Sequence, residues 1–119
     1  MYSDRARKHF LNPRNVGPLR GATHQGSAGK PGLGNYMVIQ LKVEADRISA
    51  AAFQTYGCAG AIACGCELTD MVLDKSVREA LGIQPEDIIH ALGGLPAGKE
   101  HCARLALDAL REALADEAD

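Results

Sequence analysis

From Tyr36 the chain alternates. Met37, Ile39, Leu41 and Val43 form one apolar set, and Tyr36, Val38, Gln40, Lys42 and Glu44 form the other. A period of two places the first set on the core face of a strand. Ala45-Asp46-Arg47 reads as a tight turn and residues 48–56 as a second strand, which together predict an antiparallel hairpin. Beyond Gly57 the spacing lengthens to three and four, with Ala61, Ile62, Cys64, Gly65, Leu68, Met71 and Val72 on recurring positions, as in a helix over residues 59–73. Ser76 is placed to cap a short helix ending at Leu81, and Pro85, followed by Glu86 and Asp87, opens another that reaches Leu92. Gly93-Gly94-Leu95-Pro96 breaks the pattern. A last helix starts at Lys99 or Glu100 and runs to Glu117, burying Leu107, Leu110 and Leu114 with Ala103 and Ala106 beside them.

Upstream of the hairpin the signals differ. Ser3 is suited to cap a short helix over residues 4–10, which Asn12-Pro13 must end, because proline lacks a donor and pushes the preceding residue out of helical geometry. Residues 16–35 carry six glycines and two prolines and read as a mobile loop with at most one irregular edge strand. Strands followed by a run of helices define an α+β chain, with helices packed on one face of a small antiparallel sheet.

Length and charge narrow the function classes. At 119 residues the chain is expected to be a single domain, residues 1–119, large enough for one core without covalent staples. Its net charge of -2 offers no basic field for nucleic acid. The longest apolar runs fall short of the roughly 18 residues of a membrane span, and the N-terminus opens into Asp4 and Arg5 instead of an apolar signal core. The expected partners therefore include no nucleic acid and no membrane, and the expected address is cytoplasmic. In a reducing compartment, four cysteines in a short chain point to metal or redox chemistry before disulfides.

Three of the four, Cys58, Cys64 and Cys66, fall within nine residues, and the fourth stands in the pair His101-Cys102. Imidazole and thiolate are both ligands of zinc and of iron–sulfur iron. Cys58 lies at a strand-to-helix junction and Cys102 in the first turn of a helix, where backbone donors favour a thiolate. Cys64 and Cys66 point about 200° apart on a regular helix, so both reach one metal only if Gly65 distorts the helix; otherwise they are small core residues. His9, His24 and His90 read as surface or loop histidines.

These residues resemble the NifU/IscU-type iron–sulfur cluster assembly scaffold family over essentially the whole chain. The resemblance is carried by Tyr2-Ser3, by Asn12-Pro13-Arg14-Asn15-Val16-Gly17, by Gln54-Thr55-Tyr56-Gly57-Cys58 with Ala61-Ile62-Ala63, and by Leu95-Pro96, Lys99 and His101-Cys102. It implies a three-stranded antiparallel sheet with helices packed on one face, the SufE/NifU-like fold, and a solvent-accessible tip that holds an iron–sulfur cluster, [2Fe-2S] or [4Fe-4S], or a zinc ion. It also implies a cysteine desulfurase as sulfur donor and apo iron–sulfur client proteins as recipients.

The departures are equally specific. Where the family has Ala-Cys-Gly-Asp, this chain has Gly32-Leu33-Gly34-Asn35, so one thiolate and one carboxylate are missing. The family's chaperone motif Leu-Pro-Pro-Val-Lys reads Leu95-Pro96-Ala97-Gly98-Lys99, which puts recognition by a specialised Hsp70-type chaperone in doubt. Two readings follow. In the favoured one, Cys58, Cys64, Cys66 and Cys102 form a rearranged site with His101 nearby, Cys102 accepts sulfur, and the protein is a non-enzymatic scaffold or carrier, possible as a homo-oligomer. In the other, assembly is lost and the domain is a zinc-binding or desulfurase-docking module. A small sulfurtransferase-like enzyme with one reactive cysteine is a third class.

Overall fold

The hairpin anticipated from the alternation organises the fold. In the computed structural model, which describes residues 2–115, β2 (Tyr36–Glu44) and β3 (Arg47–Tyr56) pair antiparallel, with Tyr36 opposite Tyr56. Ala45 and Asp46 both take positive φ, 50° and 67°, as a two-residue hairpin turn requires. Met37, Ile39 and Leu41 are buried, while Val43 sits half-buried next to an irregularity between Lys42 and Val43 that shifts the register.

The glycine-rich segment behaves differently from its expectation. Residues 24–29 form β1 (His24–Gly29), a regular edge strand paired with β2 from His24–Leu41 to Gly29–Tyr36. The sheet order is β1-β2-β3, all antiparallel. Gly26 is there for close approach and not for mobility. A Cβ at Gly26 would lie 2.2 Å from the Ala113 backbone nitrogen and 2.4 Å from the Ala109 carbonyl oxygen. At this point the strand can approach the last helix so closely only because the residue has no side chain.

The helices are α1 (Asp4–Leu11), α2 (Ala59–Val72), α3 (Val77–Leu81), α4 (Pro85–Ala91) and α5 (Glu100–Ala113). Their starts follow local chemistry. Ser3 Oγ accepts the Ala6 N–H at 3.1 Å, and its hydroxyl donates to the Leu92 carbonyl, tying the first helix to the end of α4. Ser76 and Glu79 form a reciprocal capping box, and Pro85 opens α4. Helix α5 ends at Ala113 and Leu114 caps it; the expected extension to Glu117 lies outside the described residues.

Helix α2 is the central element, in contact with β3, α1, α4 and α5. Being surrounded, it is buried along almost its whole length and built from small residues: Gly60, Ala61, Ala63, Cys64, Gly65, Cys66. It runs unbroken through Gly65, so the distortion considered above does not occur. Gly65 instead makes room for Phe53, whose ring would be 2.5 Å from a Cβ at that position. Phe53, Leu68, Leu107 and Leu110 are fully buried in the core between sheet and helices, each such side chain contributing roughly 1.5–3 kcal/mol.

Candidate metal centre

Three segments meet where the sheet reaches the starts of α2 and α5. The β2–β3 register brings Asn35 beside Gly57 and Cys58; the N-terminus of α2 begins there, with Cys58 as its extended N-cap (φ -81°, ψ 172°), and α5 delivers His101 and Cys102 in its first turn. The result is a thiol pair, with Cys58 Sγ and Cys102 Sγ 3.5 Å apart. Two glycines make it possible. A Cβ on Gly57 would strike Asn35 Oδ1 at 2.2 Å, and one on Gly60 would crowd Cys102 Sγ at 3.1 Å, the Tyr2 hydroxyl at 3.2 Å and Cys58 Sγ at 3.5 Å.

Asn35 threads between the sulfurs. Its Oδ1 accepts the Cys58 N–H at 3.1 Å; its Nδ2 faces Cys58 Sγ at 3.7 Å, Cys102 Sγ at 3.8 Å and His101 Nε2 at 3.5 Å. His101 Nε2 is also 3.7 Å from Cys102 Sγ. The two thiols are unlike. Burial by itself would raise the Cys58 pKa, but the Ala61 N–H, the Cys102 thiol, the Asn35 amide and the Gly60 N–H outweigh it and hold the group below its ordinary value. Cys102 is fully buried, and burial, reinforced by the neighbouring Cys58, pushes it up to about 12. Cys58 is thus the more exposed member of the pair and the one whose thiolate is favoured, whereas at Cys102 burial works against the thiolate expected from its helix start.

Cys64 and Cys66 are not brought into this pair. Cys64 is four residues after Gly60, so it lies on the same face of α2 one turn deeper, and it is fully buried. Burial, then the nearby Cys102, Cys58 and Glu67, raise its pKa and keep it a thiol. Cys66 points elsewhere, its thiol donating to the Arg14 carbonyl at 3.5 Å, and burial raises its pKa as well. The two occupy the core as small apolar residues, and their expected role as replacements for the cysteine absent at Leu33 finds no support in their placement. Leu33 itself stands 74% exposed between Gly32 and Gly34, two residues from Asn35. Among the described residues no three His, Cys, Asp or Glu side chains converge on one metal position.

Of the histidines set aside above, His90 is exposed on α4, but His9 is buried, with Nε2 3.1 Å from Glu67 Oε1. The sequence reading also missed Tyr2 and Lys99 as neighbours of the thiols. Burial, then Cys58, raises the Tyr2 pKa, while Lys99 lowers both Tyr2 and Cys102. Both residues lie within the matched motifs, which was the available signal; their contacts depend on the fold.

A three-stranded antiparallel sheet backed by helices, with a thiol pair where the sheet and two helix N-termini meet, defines a small α+β domain built to present soft ligands. Residues 1–118 match the model of the NifU-like N terminal domain, and the chain belongs to that family. It is 48% identical over 116 residues to the iron-sulfur cluster assembly scaffold protein IscU 1 of Archaeoglobus fulgidus, covering 98% of this chain and 76% of the relative. It is 44% identical over 117 residues to the IscU scaffold protein of Aquifex aeolicus, covering 97% and 74%. In fold, it matches the crystal structure of the N-terminal part of a NifU-like protein from Brucella abortus with a TM-score of 0.71, at 15% identity and covering 98% of this chain and 95% of that one. No helix among the described residues is long and apolar enough to cross a membrane.

Proposed function

We propose that this protein is an iron–sulfur cluster assembly scaffold or carrier, the role its relatives' names state, and that Cys58 and Cys102 hold the cluster as cargo with His101 beside them. The observation that carries this reading is the sulfur pair. Metal–sulfur bonds of about 2.3 Å at a tetrahedral centre separate two sulfurs by about 3.8 Å, and the Cys58–Cys102 separation of 3.5 Å is close to that bite. Asn35, placed to donate an amide N–H towards both sulfurs, offsets the charge of two adjacent thiolates.

The chemistry is stoichiometric. The Cys58 thiolate attacks the terminal sulfur of a persulfide on a cysteine desulfurase; the S–S bond to the desulfurase breaks, its thiolate leaves, and the sulfur stays on Cys58. Two electrons per sulfur, supplied by ferrous iron and an external electron donor, cleave the persulfide to sulfide and return Cys58 to a thiolate; iron and sulfide build up on the pair, and the completed cluster leaves by ligand exchange with the cysteines of an apo-protein. Protein purified without oxygen and assayed for iron, zinc and acid-labile sulfide tests this. Iron and sulfide together, with sulfide-dependent visible absorbance after reconstitution, support a scaffold, and the spectrum separates [2Fe-2S] from [4Fe-4S], since both carry one sulfide per iron. Tight zinc binding without any sulfide-dependent chromophore would establish the metal-bound module instead. Persulfide retained by Cys58→Ser protein would move the acceptor role away from Cys58.

A further inference from the structure

The Cys58–Cys102 pair has no third thiol within it. Cys64 and Cys66 are fully buried along α2, Cys66 donating to the Arg14 carbonyl, and Leu33 stands where the family resemblance places a cysteine. A sulfur atom carried by Cys58 therefore has one protein thiol beside it, that of Cys102, with the two cysteine sulfurs 3.5 Å apart. A disulfide spans about 2.05 Å, so closing the pair asks for about 1.5 Å of movement shared between two side chains. Gly60 leaves the space: a Cβ there would sit 3.1 Å from Cys102 Sγ and 3.5 Å from Cys58 Sγ.

We propose that in the metal-free chain Cys102 resolves the Cys58 persulfide: its sulfur attacks Cys58 Sγ, the two cysteines close into a disulfide, and the terminal sulfur leaves as hydrosulfide. This goes beyond the scaffold reading and rests on it for the arrival of sulfur at Cys58. The step balances within the chain. The persulfide S–S bond breaks as the Cys58–Cys102 bond forms; the departing sulfur takes two electrons, one from each cysteine sulfur, and carries away the Cys102 proton. His101 Nε2, 3.7 Å from Cys102 Sγ, stands beside that proton as a base to relay it. Reopening the disulfide takes a dithiol or two equivalents of a low-molecular-weight thiol. Until then neither sulfur is free to bind iron. The pair is thus a redox latch: sulfur that arrives ahead of iron is returned as sulfide, and the site stays shut until a thiol reopens it. Iron already on the pair holds Cys102 as a ligand and leaves the persulfide to the external electron donor.

The test treats the reduced, metal-free full chain, freed of small thiols and kept without oxygen, with one equivalent of an alkyl persulfide. Released sulfide, intact mass and a peptide map are read together. The expected result is about one sulfide released per chain, the loss of two hydrogens from the mass, and a Cys58 peptide joined to the Cys102 peptide by a bond that a dithiol opens. Cys102→Ala should keep the added sulfur on Cys58, with sulfide release slowed by roughly tenfold or more. Wild-type chain that retains the added sulfur with Cys102 free, or that releases sulfide no faster than Cys102→Ala, would overturn the proposal. The joined peptide in the wild-type chain is decisive whether or not the variant folds. Reconstitution of the same reduced chain with ferrous iron and sulfide keeps the two readings apart. A chromophore without the disulfide overturns the latch alone, and the disulfide without any chromophore overturns the scaffold reading alone. A chain that takes up no sulfur at Cys58 overturns its acceptor role and the latch with it.

Discussion

The side-chain amide of Asn35 holds Cys58 from two directions: its Oδ1 accepts the Cys58 N–H at 3.1 Å while its Nδ2 faces the Cys58 sulfur at 3.7 Å. The first contact fixes the backbone where β3 hands over to α2. The second presents a neutral donor to a group that becomes an anion. A carboxylate at this position would keep the first contact and reverse the second, setting a negative charge against both sulfurs.

Asn35→Asp is therefore expected to raise the Cys58 pKa while leaving the fold intact. Thiolate absorbance followed against pH reads the shift directly. At neutral pH the alkylation rate of Cys58 should fall by roughly threefold to tenfold, because the thiolate is the reacting form. An unchanged titration would show that the Asn35 amide has no electrostatic effect on the pair.

The reach of sequence reasoning follows from which forces are local. The hairpin was legible because the alternation of Met37, Ile39 and Leu41 is itself the burial pattern, and the starts at Ser3, Ser76 and Pro85 because capping is decided within a few residues. Strand β1 was not, since Gly26 serves a contact with Ala109 and Ala113 more than eighty residues away, which in sequence is indistinguishable from flexibility. Cys58, His101 and Cys102 were legible from their motifs. The burial of Cys64 and Cys66 was hidden because a helix covered on all sides has no face that periodicity can mark.

The glycines give a graded stability test. Gly65→Ala would place a Cβ 2.5 Å from the Phe53 ring; overpacking of this kind costs about 1–3 kcal/mol, offset by roughly 1 kcal/mol of improved helix propensity. Gly26→Ala meets backbone atoms at 2.2 and 2.4 Å, which no rotamer change relieves, so it must push β1 off α5. Denaturant melts should rank the variants wild type, then Gly65→Ala, then Gly26→Ala. The reverse order would show that the β1–α5 contact gives way more easily than the core.

Acid stability depends on Glu67. Burial alone would raise its pKa, but hydrogen bonds from Arg5, at 2.6 and 3.1 Å, and from His9 outweigh burial and depress it. A carboxylate with a depressed native pKa stabilises the fold fully above its unfolded value, near 4.5, and that contribution is lost as pH falls through the native value. Glu67→Gln should cost about 1–3 kcal/mol at neutral pH and flatten the acid limb of a stability–pH curve. A variant whose acid limb parallels wild type would assign the pH dependence to other carboxylates.

Cys64 decides whether the ligand set is the exposed pair or a larger cluster of thiols. It lies one turn beyond Gly60 on α2, near enough to Cys58 and Cys102 to feel both charges, yet it is fully buried and its pKa is raised. A ligand must lose its proton and reach the metal, and Cys64 would have to do both from inside the central helix. Cys64→Ala and Cys66→Ala are therefore expected to lose about 1–2 kcal/mol of stability through small cavities, and to take up iron and sulfide with the wild-type spectrum and stoichiometry. Brief alkylation of the native metal-free protein followed by peptide mass analysis should label Cys58 first, with Cys102, Cys64 and Cys66 reacting only on unfolding, since Cys58 alone joins exposure to a lowered pKa. A changed spectrum in Cys64→Ala, or labelling of Cys64 alongside Cys58, would mean that α2 opens to bring its buried thiol to the metal, and that the central helix moves when the site is loaded.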